Sequence, residues 1–202
     1  MKKMTYPLAI ASVAITLTIT PLSSYARSAV EEPPADTAQD TIQSSAVKTT
    51  PFAANTSYVV CFTPGQDCEG LIVQEINHAQ KSILLQAYVF TSTTIAKALT
   101  QAKQRGVDVR AILDKSQRTG KYTGATFLRH AGIPLMIDEH PAIAHSKVLV
   151  FDQQSVLTGS FNFTKSAQER NAENLIIIKG DSGLVRAYTE NWNRRWKASV
   201  SY

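Results

Sequence analysis

From residue 58 onward the apolar and polar positions switch period repeatedly, and each switch marks an element. Residues 58–62 predict a first strand. Asp67 then caps a helix over 68–79, in which Leu71, Ile72, Glu75 and Ile76 recur at helical spacing. Residues 82–90 form a nearly continuous apolar run, the pattern of a strand covered on both faces. Ser92 N-caps a helix through Arg105 that Gly106 ends, and residues 107–113 return as a strand closing on Asp114. Residues 116–123 read as a polar, basic loop, followed by a helix over 125–131, a short strand over 133–137 and a loop over 138–144. Further on, 164–168 predicts a short helix, 174–178 a buried strand and 182–197 a terminal helix. Strands alternating with helices predict an α/β fold: a layered domain with a mixed central β-sheet flanked by helices, occupying 58–202. There is no internal repeat and no sign of a second domain.

Between these elements, the apolar runs 148–151 and 155–157 flank the polar pair Gln153-Gln154 and predict a β-hairpin. A loop centred on that pair makes opposed residue numbers sum to 307, setting Asn162 across from His145 and Ser160 across from Lys147. Side chains alternate along a strand, so all four would share one face, cross-strand Cβ atoms roughly 5 Å apart. A nucleophile or base, a fixed cation, an amide and a hydroxyl on one face suit the attack on a phosphate diester. Asp152 has the opposite parity and is expected to support the hairpin. Gly159, lacking a side chain, lets backbone or substrate approach beside Ser160.

These residues also carry a family pattern. His145-x-Lys147, four residues, Asp152, six residues, then Gly159-Ser160-x-Asn162 resembles the HKD motif of the phospholipase D superfamily, with every fixed position filled. A single copy in a short chain most resembles the family's small bacterial periplasmic endonucleases, over about 58–202. The resemblance implies a phospholipase D-like fold in which His145 attacks phosphorus and forms a phosphohistidine that water then opens. Lys147 and Asn162 would hold the non-bridging oxygens, Ser160 assisting. It further implies that Glu173, in Asn171-Ala172-Glu173-Asn174, accepts a hydrogen bond from the nucleophilic histidine. Asp152 is a fixed position of the motif and counts among the candidate catalytic residues, though its parity assigns it a structural role.

The mechanism uses two histidines, an attacker and an acid for the leaving oxygen, whereas this chain has one motif. His78, His130 and His140 are not followed by Lys two residues on. A two-fold homodimer supplies the missing ring, because a patch on the axis meets its own copy. A composite active site at the dimer interface is therefore expected, with His140 the runner-up for the acid. Lys147 and a histidinium fill the cation roles, and no carboxylate cluster of the kind Mg²⁺ sites need is present, so no cofactor and no metal are called for.

Charge and cysteine content set the surroundings. Lys2 and Lys3, the apolar run 8–19 and Ser24-Tyr25-Ala26 have the layout of a signal peptide over 1–26, a retained membrane anchor being the alternative. After removal of that leader no stable membrane association is expected; the localisation is periplasmic, or else secreted. Outside the cytosol a close pair such as Cys61 and Cys68 usually forms a disulfide, and no third or fourth ligand supports zinc instead. Residues 27–57, rich in Ser, Thr, Ala and Pro, read as a flexible lead-in of net charge −2, whereas 58–202 hold 17 Lys and Arg against 12 Asp and Glu. The positive charge thus sits on the folded part and suits a polyanion such as DNA or RNA. Lys115, Arg118 and Lys121, in the basic loop, are the candidate phosphate contacts. Trp192 and Trp196 with Arg194, Arg195 and Lys197 read as an aromatic core stripe beside a solvated basic face, and otherwise as a phosphate-contacting ridge.

The leading expectation is an exported, metal-independent, sequence-nonspecific endonuclease. Its rivals are a phospholipase, which would want an apolar groove that the sequence outside the leader does not display, and a nucleic-acid-binding module without catalysis.

Overall fold

The computed structural model describes residues 47–119 and 123–202. The leader over 1–26, the lead-in up to residue 46 and Lys121 lie outside the described residues. The unit Lys48–Tyr202 contains, in order, β1 (Ser57–Thr63), α1 (Cys68–His78), β2 (Ser82–Ala87), α2 (Thr93–Gln104), β3 (Asp108–Asp114), α3 (Ser116–Thr119), α4 (Gly124–His130), β4 (Leu135–Asp138), β5 (Lys147–Phe151), β6 (Ser155–Gly159), α5 (Lys165–Glu169), β7 (Glu173–Lys179), α6 (Ser182–Ala198) and β8 (Val200–Ser201). The strands form one mixed sheet in the order β1-β7-β6-β5-β2-β3-β4-β8. β2, β3 and β4 are parallel, and the remaining neighbours are antiparallel.

The period of two in the strands divides the core into two layers. Ile83, Leu85 and Ala87 of β2, Val109, Ala111 and Leu113 of β3, Leu149 of β5, Leu157 of β6 and Leu175 and Ile177 of β7 face the layer that holds Ile72 and Ile76 of α1, Ile95 and Leu99 of α2 and Leu128 of α4. Their alternates Leu84, Ile112, Val150 and Val156 face Val185 and Trp192 of α6. The central strands therefore read as continuous apolar runs because both faces are covered. Trp192 is 1% exposed, donates its indole N–H to the Leu85 carbonyl at 2.9 Å and stacks on Trp196 at 4.9 Å. Beside it Arg195 forms a fork with the buried carboxylate of Asp138. The aromatic stripe is thus core, and Arg195 is engaged inside the fold.

Local signals place most boundaries. Asp67 accepts the Gly70 N–H at 2.8 Å and Ser92 the Ile95 N–H at 3.1 Å, so both predicted caps are made. Gly106 has φ +93°, the conformation that ends α2. Cys61 and Cys68 are disulfide-bonded, fastening β1 to the first turn of α1. Three expectations are corrected. The strand predicted over 82–90 stops at Ala87, since the chain then leaves the sheet for a bridge between Phe90 and Phe163. The basic loop begins as the short helix α3. The flexible lead-in ends in fixed structure, because the Ala53 N–H donates to the Asp181 carboxylate at 3.0 Å.

The hairpin register is also corrected. Leu149 pairs with Leu157, Val150 with Val156 and Phe151 with Ser155, so opposed numbers sum to 306. The turn has three residues, Asp152, Gln153 and Gln154, with φ +53° at Asp152 and +58° at Gln153. His145 is consequently not in register with Asn162, nor Lys147 with Ser160.

Candidate active site

One end of the sheet gathers the C-terminal ends of β1, β2, β3 and β6 and the N-terminal ends of β5 and β7. There a cleft of about 620 Å³ is lined by His145, Lys147, Gly159, Ser160, Asn162, Glu173 and Asn174. The predicted residues converge despite the altered register, and the cause is a bulge. The N–H groups of Ser160 and Phe161 both donate to the Asn174 carbonyl, at 3.0 and 3.3 Å, so two residues of one strand oppose one of its neighbour. The extra residue re-aims Ser160 and Asn162 into the cleft. Only glycine fits the pivot, since a Cβ on Gly159, at φ +151°, would lie 2.3 Å from the Asn174 oxygen.

Lys147 pairs with Ala87 of β2 and is 6% exposed. Its ammonium donates to the His145 carbonyl at 2.9 Å and lies 5.1 Å from the centre of the Tyr88 ring. Burial lowers its pKa below the ordinary lysine value, and the charge of Glu173 works in the opposite direction. His145 is exposed, and its ring lies against Tyr88, centroids 4.5 Å apart and planes at 51°. The loop that delivers it is pinned by Asp114, 2% exposed, whose carboxylate accepts the Ala144 N–H at 2.7 Å and the Ser116 N–H at 2.9 Å. Burial would raise the Asp114 pKa; these bonds and the charge of Lys115 outweigh it and hold the group below its usual value.

An imidazole open to solvent, a buried ammonium, a hydroxyl and an amide thus stand around one cleft, and the comparisons with known proteins identify the family. The family described as "Cardiolipin synthase, PLD-like domain" matches residues 72–196. The chain belongs to the phospholipase D-like family. It is 47% identical over 135 residues to a protein of Rickettsia prowazekii named "Phospholipase D", covering 67% of this chain and 65% of that protein's length. It is 36% identical over 127 residues to "Mitochondrial cardiolipin hydrolase" of Xenopus laevis, 63% of this chain and 60% of that one. Nuc of Salmonella typhimurium, a phospholipase D family member of known crystal structure, superposes with a TM-score of 0.70 at 38% identity, covering 73% of this chain and 98% of that one.

Two roles implied by the family pattern differ in the structure. Glu173 was expected to accept from His145; instead its carboxylate accepts the Ser160 hydroxyl at 2.6 Å and the Asn171 amide at 2.9 Å. Asp152 is not in the cleft. It sits at the closed end of the hairpin, where its carboxylate accepts the N–H groups of Gln80, Lys81 and Ser82 at 2.9, 2.7 and 2.9 Å. Burial raises its pKa, but these three donors prevail and the net shift is downward. Asp152 is therefore a structural anchor between the hairpin and the start of β2, as its parity suggested, and not a catalytic residue. Asn162 is placed as expected, and its side-chain oxygen is buried without a hydrogen-bond partner among the described residues.

The candidate phosphate contacts are less free than the sequence suggests. Lys115 donates to the Pro141 carbonyl at 3.2 Å; Arg118 donates to the Ser201 carbonyl at 3.1 Å and pairs with Glu139 at 3.1 Å. Neither lines the cleft. Sequence reasoning passed over Tyr88 and Asp114. Both stand at the C-terminal ends of strands in an α/β sheet, where ligand sites collect, and that position was the available signal. It also missed an apolar groove of about 290 Å³ lined by Phe52, Ala53, Thr56, Tyr58, Ile176 and Ile178, because its residues come from opposite ends of the chain.

Proposed function

We propose that this protein is an exported, metal-independent, sequence-nonspecific endonuclease that cleaves DNA, and RNA as a second substrate, through a phosphohistidine. The observation that carries this reading is the convergence of His145, Lys147, Ser160 and Asn162 on one open cleft. An imidazole whose unperturbed pKa lies near neutrality suits attack on phosphorus. The reacting ring's nitrogen forms the P–N bond as the P–O bond to the leaving oxygen breaks. That oxygen takes its proton from a second histidine, and water, giving a proton back to that histidine, then displaces the first. Lys147 and Asn162 face the charge that grows on the non-bridging oxygens. The second histidine is supplied by a homodimer in which His145 of each chain takes one role across the axis.

The net charge of +5 over 58–202 favours a polyanionic substrate. The signal-peptide pattern of residues 1–26 supports the reading of export, with the periplasm the proposed site of action. A phospholipid substrate is the second reading. It is favoured by the apolar groove on the sheet edge, by the exposure of Tyr58 and Phe62 at 71% and 54%, and by the names of the curated relatives.

One assay separates these readings. The mature protein and its His145→Ala variant are incubated in EDTA with plasmid DNA, with RNA and with phosphatidylcholine vesicles. Plasmid cleavage by the first and not the second supports the nuclease. Release of choline alone overturns it in favour of the lipase, DNA retention without cleavage supports a binding module, and activity that EDTA removes and a divalent metal restores refutes the metal-free mechanism.

A further inference from the structure

Against two residues of the cleft, His145 and Lys147, lies a side chain for which neither the motif nor the proposed chemistry has a use. Tyr88 follows directly on β2, and its N–H donates to the Ser146 carbonyl at 2.9 Å, a backbone tie that keeps it level with residues 145–147. Its ring then meets both residues: the imidazole of His145 at 4.5 Å between centroids, planes tilted by 51°, and the ammonium of Lys147 at 5.1 Å from its centre. The carboxylate expected to steady the histidine is occupied elsewhere, since Glu173 accepts from Ser160 and Asn171. Among the described residues the His145 ring meets the aromatic ring of Tyr88.

That contact has a chemical consequence. When an imidazole nitrogen donates its lone pair to phosphorus, the ring passes from neutral to imidazolium-like while its other nitrogen keeps its proton. Positive charge thus grows on the attacking ring, whereas the ring that protonates the leaving oxygen starts as imidazolium and becomes neutral as it gives up its proton. An aromatic face carries negative quadrupolar charge and attracts a cation within about 6 Å, more strongly where water is excluded. It interacts less with a neutral imidazole, so the stabilisation is greater in the transition state than in the ground state and speeds the chemical step.

We propose that Tyr88 is a positioning residue whose ring face supports the positive charge that His145 acquires as it attacks phosphorus, while holding the Lys147 ammonium beside it. The phenol hydroxyl has no part in this, and the electron density of the ring has all of it. The inference rests on the reading of His145 as nucleophile and deepens it.

The test uses a small chromogenic diester, bis(4-nitrophenyl) phosphate, so that neither DNA nor lipid affinity enters. Tyr88→Phe retains turnover within about threefold. Replacing that Phe with its 4-fluoro, 3,5-difluoro and pentafluoro analogues keeps the shape and drains the ring face. kcat then falls stepwise, by about tenfold across the series, with KM nearly unchanged. Tyr88→Leu loses more, and a thermal melt separates misfolding from lost chemistry; if Leu misfolds, the isosteric series still decides. A flat series, or one in which KM alone moves, overturns the role of Tyr88 while His145→Ala remains inactive. Full activity of His145→Ala brings down the nucleophile assignment and this inference with it.

Discussion

The two ends of the β5–β6 hairpin hold opposite kinds of polar group. At the closed end the Asp152 carboxylate takes three backbone N–H groups and ties the turn to the start of β2. At the open end His145 is exposed, the Asn162 oxygen is buried without a partner, and Lys147 is buried with a depressed pKa. Both ends are fixed positions of one motif. Groups tied up in backbone hydrogen bonds stabilise the fold, whereas the exposed ring of His145 and the Lys147 ammonium with its depressed pKa belong to the cleft. Residues of one motif can therefore fail in different assays when they are changed.

The largest contrast comes from the open end. His145→Ala is expected to lower kcat by about 10⁴-fold or more with no change in melting temperature, because an exposed ring contributes little to stability. Co-expressed with the parent chain it also tests the composite site. If two rings are needed, activity falls as the square of the parent fraction, and a linear fall breaks the dimer proposal. Lys147→Ala should lower kcat about 10²–10³-fold, the scale for removing one donor to a developing oxyanion. A KM effect alone would reassign Lys147 to binding.

Asp152→Ala should do the reverse, leaving kcat intact and lowering stability by about 1 kcal/mol, the scale for losing hydrogen bonds to a charged acceptor whose donors are largely open to water. Its pH dependence has a definite sign. The folded pKa is depressed, so the stabilisation is fully present above the unfolded carboxylate value near 4 and is lost as pH falls through the folded value. The difference between parent and variant should shrink in acid titrations; a constant difference, or a loss of turnover at neutral pH, would erase the distinction between the two ends. The smallest effect is a shift. Lys147 must be charged, and burial lowers its pKa while Glu173 opposes that, so the alkaline limb of kcat lies below the ordinary lysine range. Glu173→Gln moves that limb further down. Movement upward, or none, shows that Glu173 does not act on Lys147 through its charge.

Much of this architecture was legible in local pattern. The caps at Asp67 and Ser92 and the stop at Gly106 depend on interactions within a few residues. β8 was not legible, since its two residues, Val200 and Ser201, are too few to show a period. The hairpin register failed for a related reason. A three-residue turn and a two-residue turn flank the same apolar runs, and the choice fell to positive φ at Asp152 and Gln153, neither of which is glycine.

The sequence by itself determined the layered α/β class, the disulfide pair and the spacing of His145, Lys147, Ser160 and Asn162, because periodicity and motif spacing are properties of the chain alone. Only the tertiary structure decided how those residues meet. The shared Asn174 carbonyl creates the bulge that compensates for the register, Glu173 turns to Ser160, and Tyr88 arrives beside His145 from a strand 57 residues earlier in the chain. Such contacts join segments far apart in the polypeptide, and their energies exist only once the sheet has assembled.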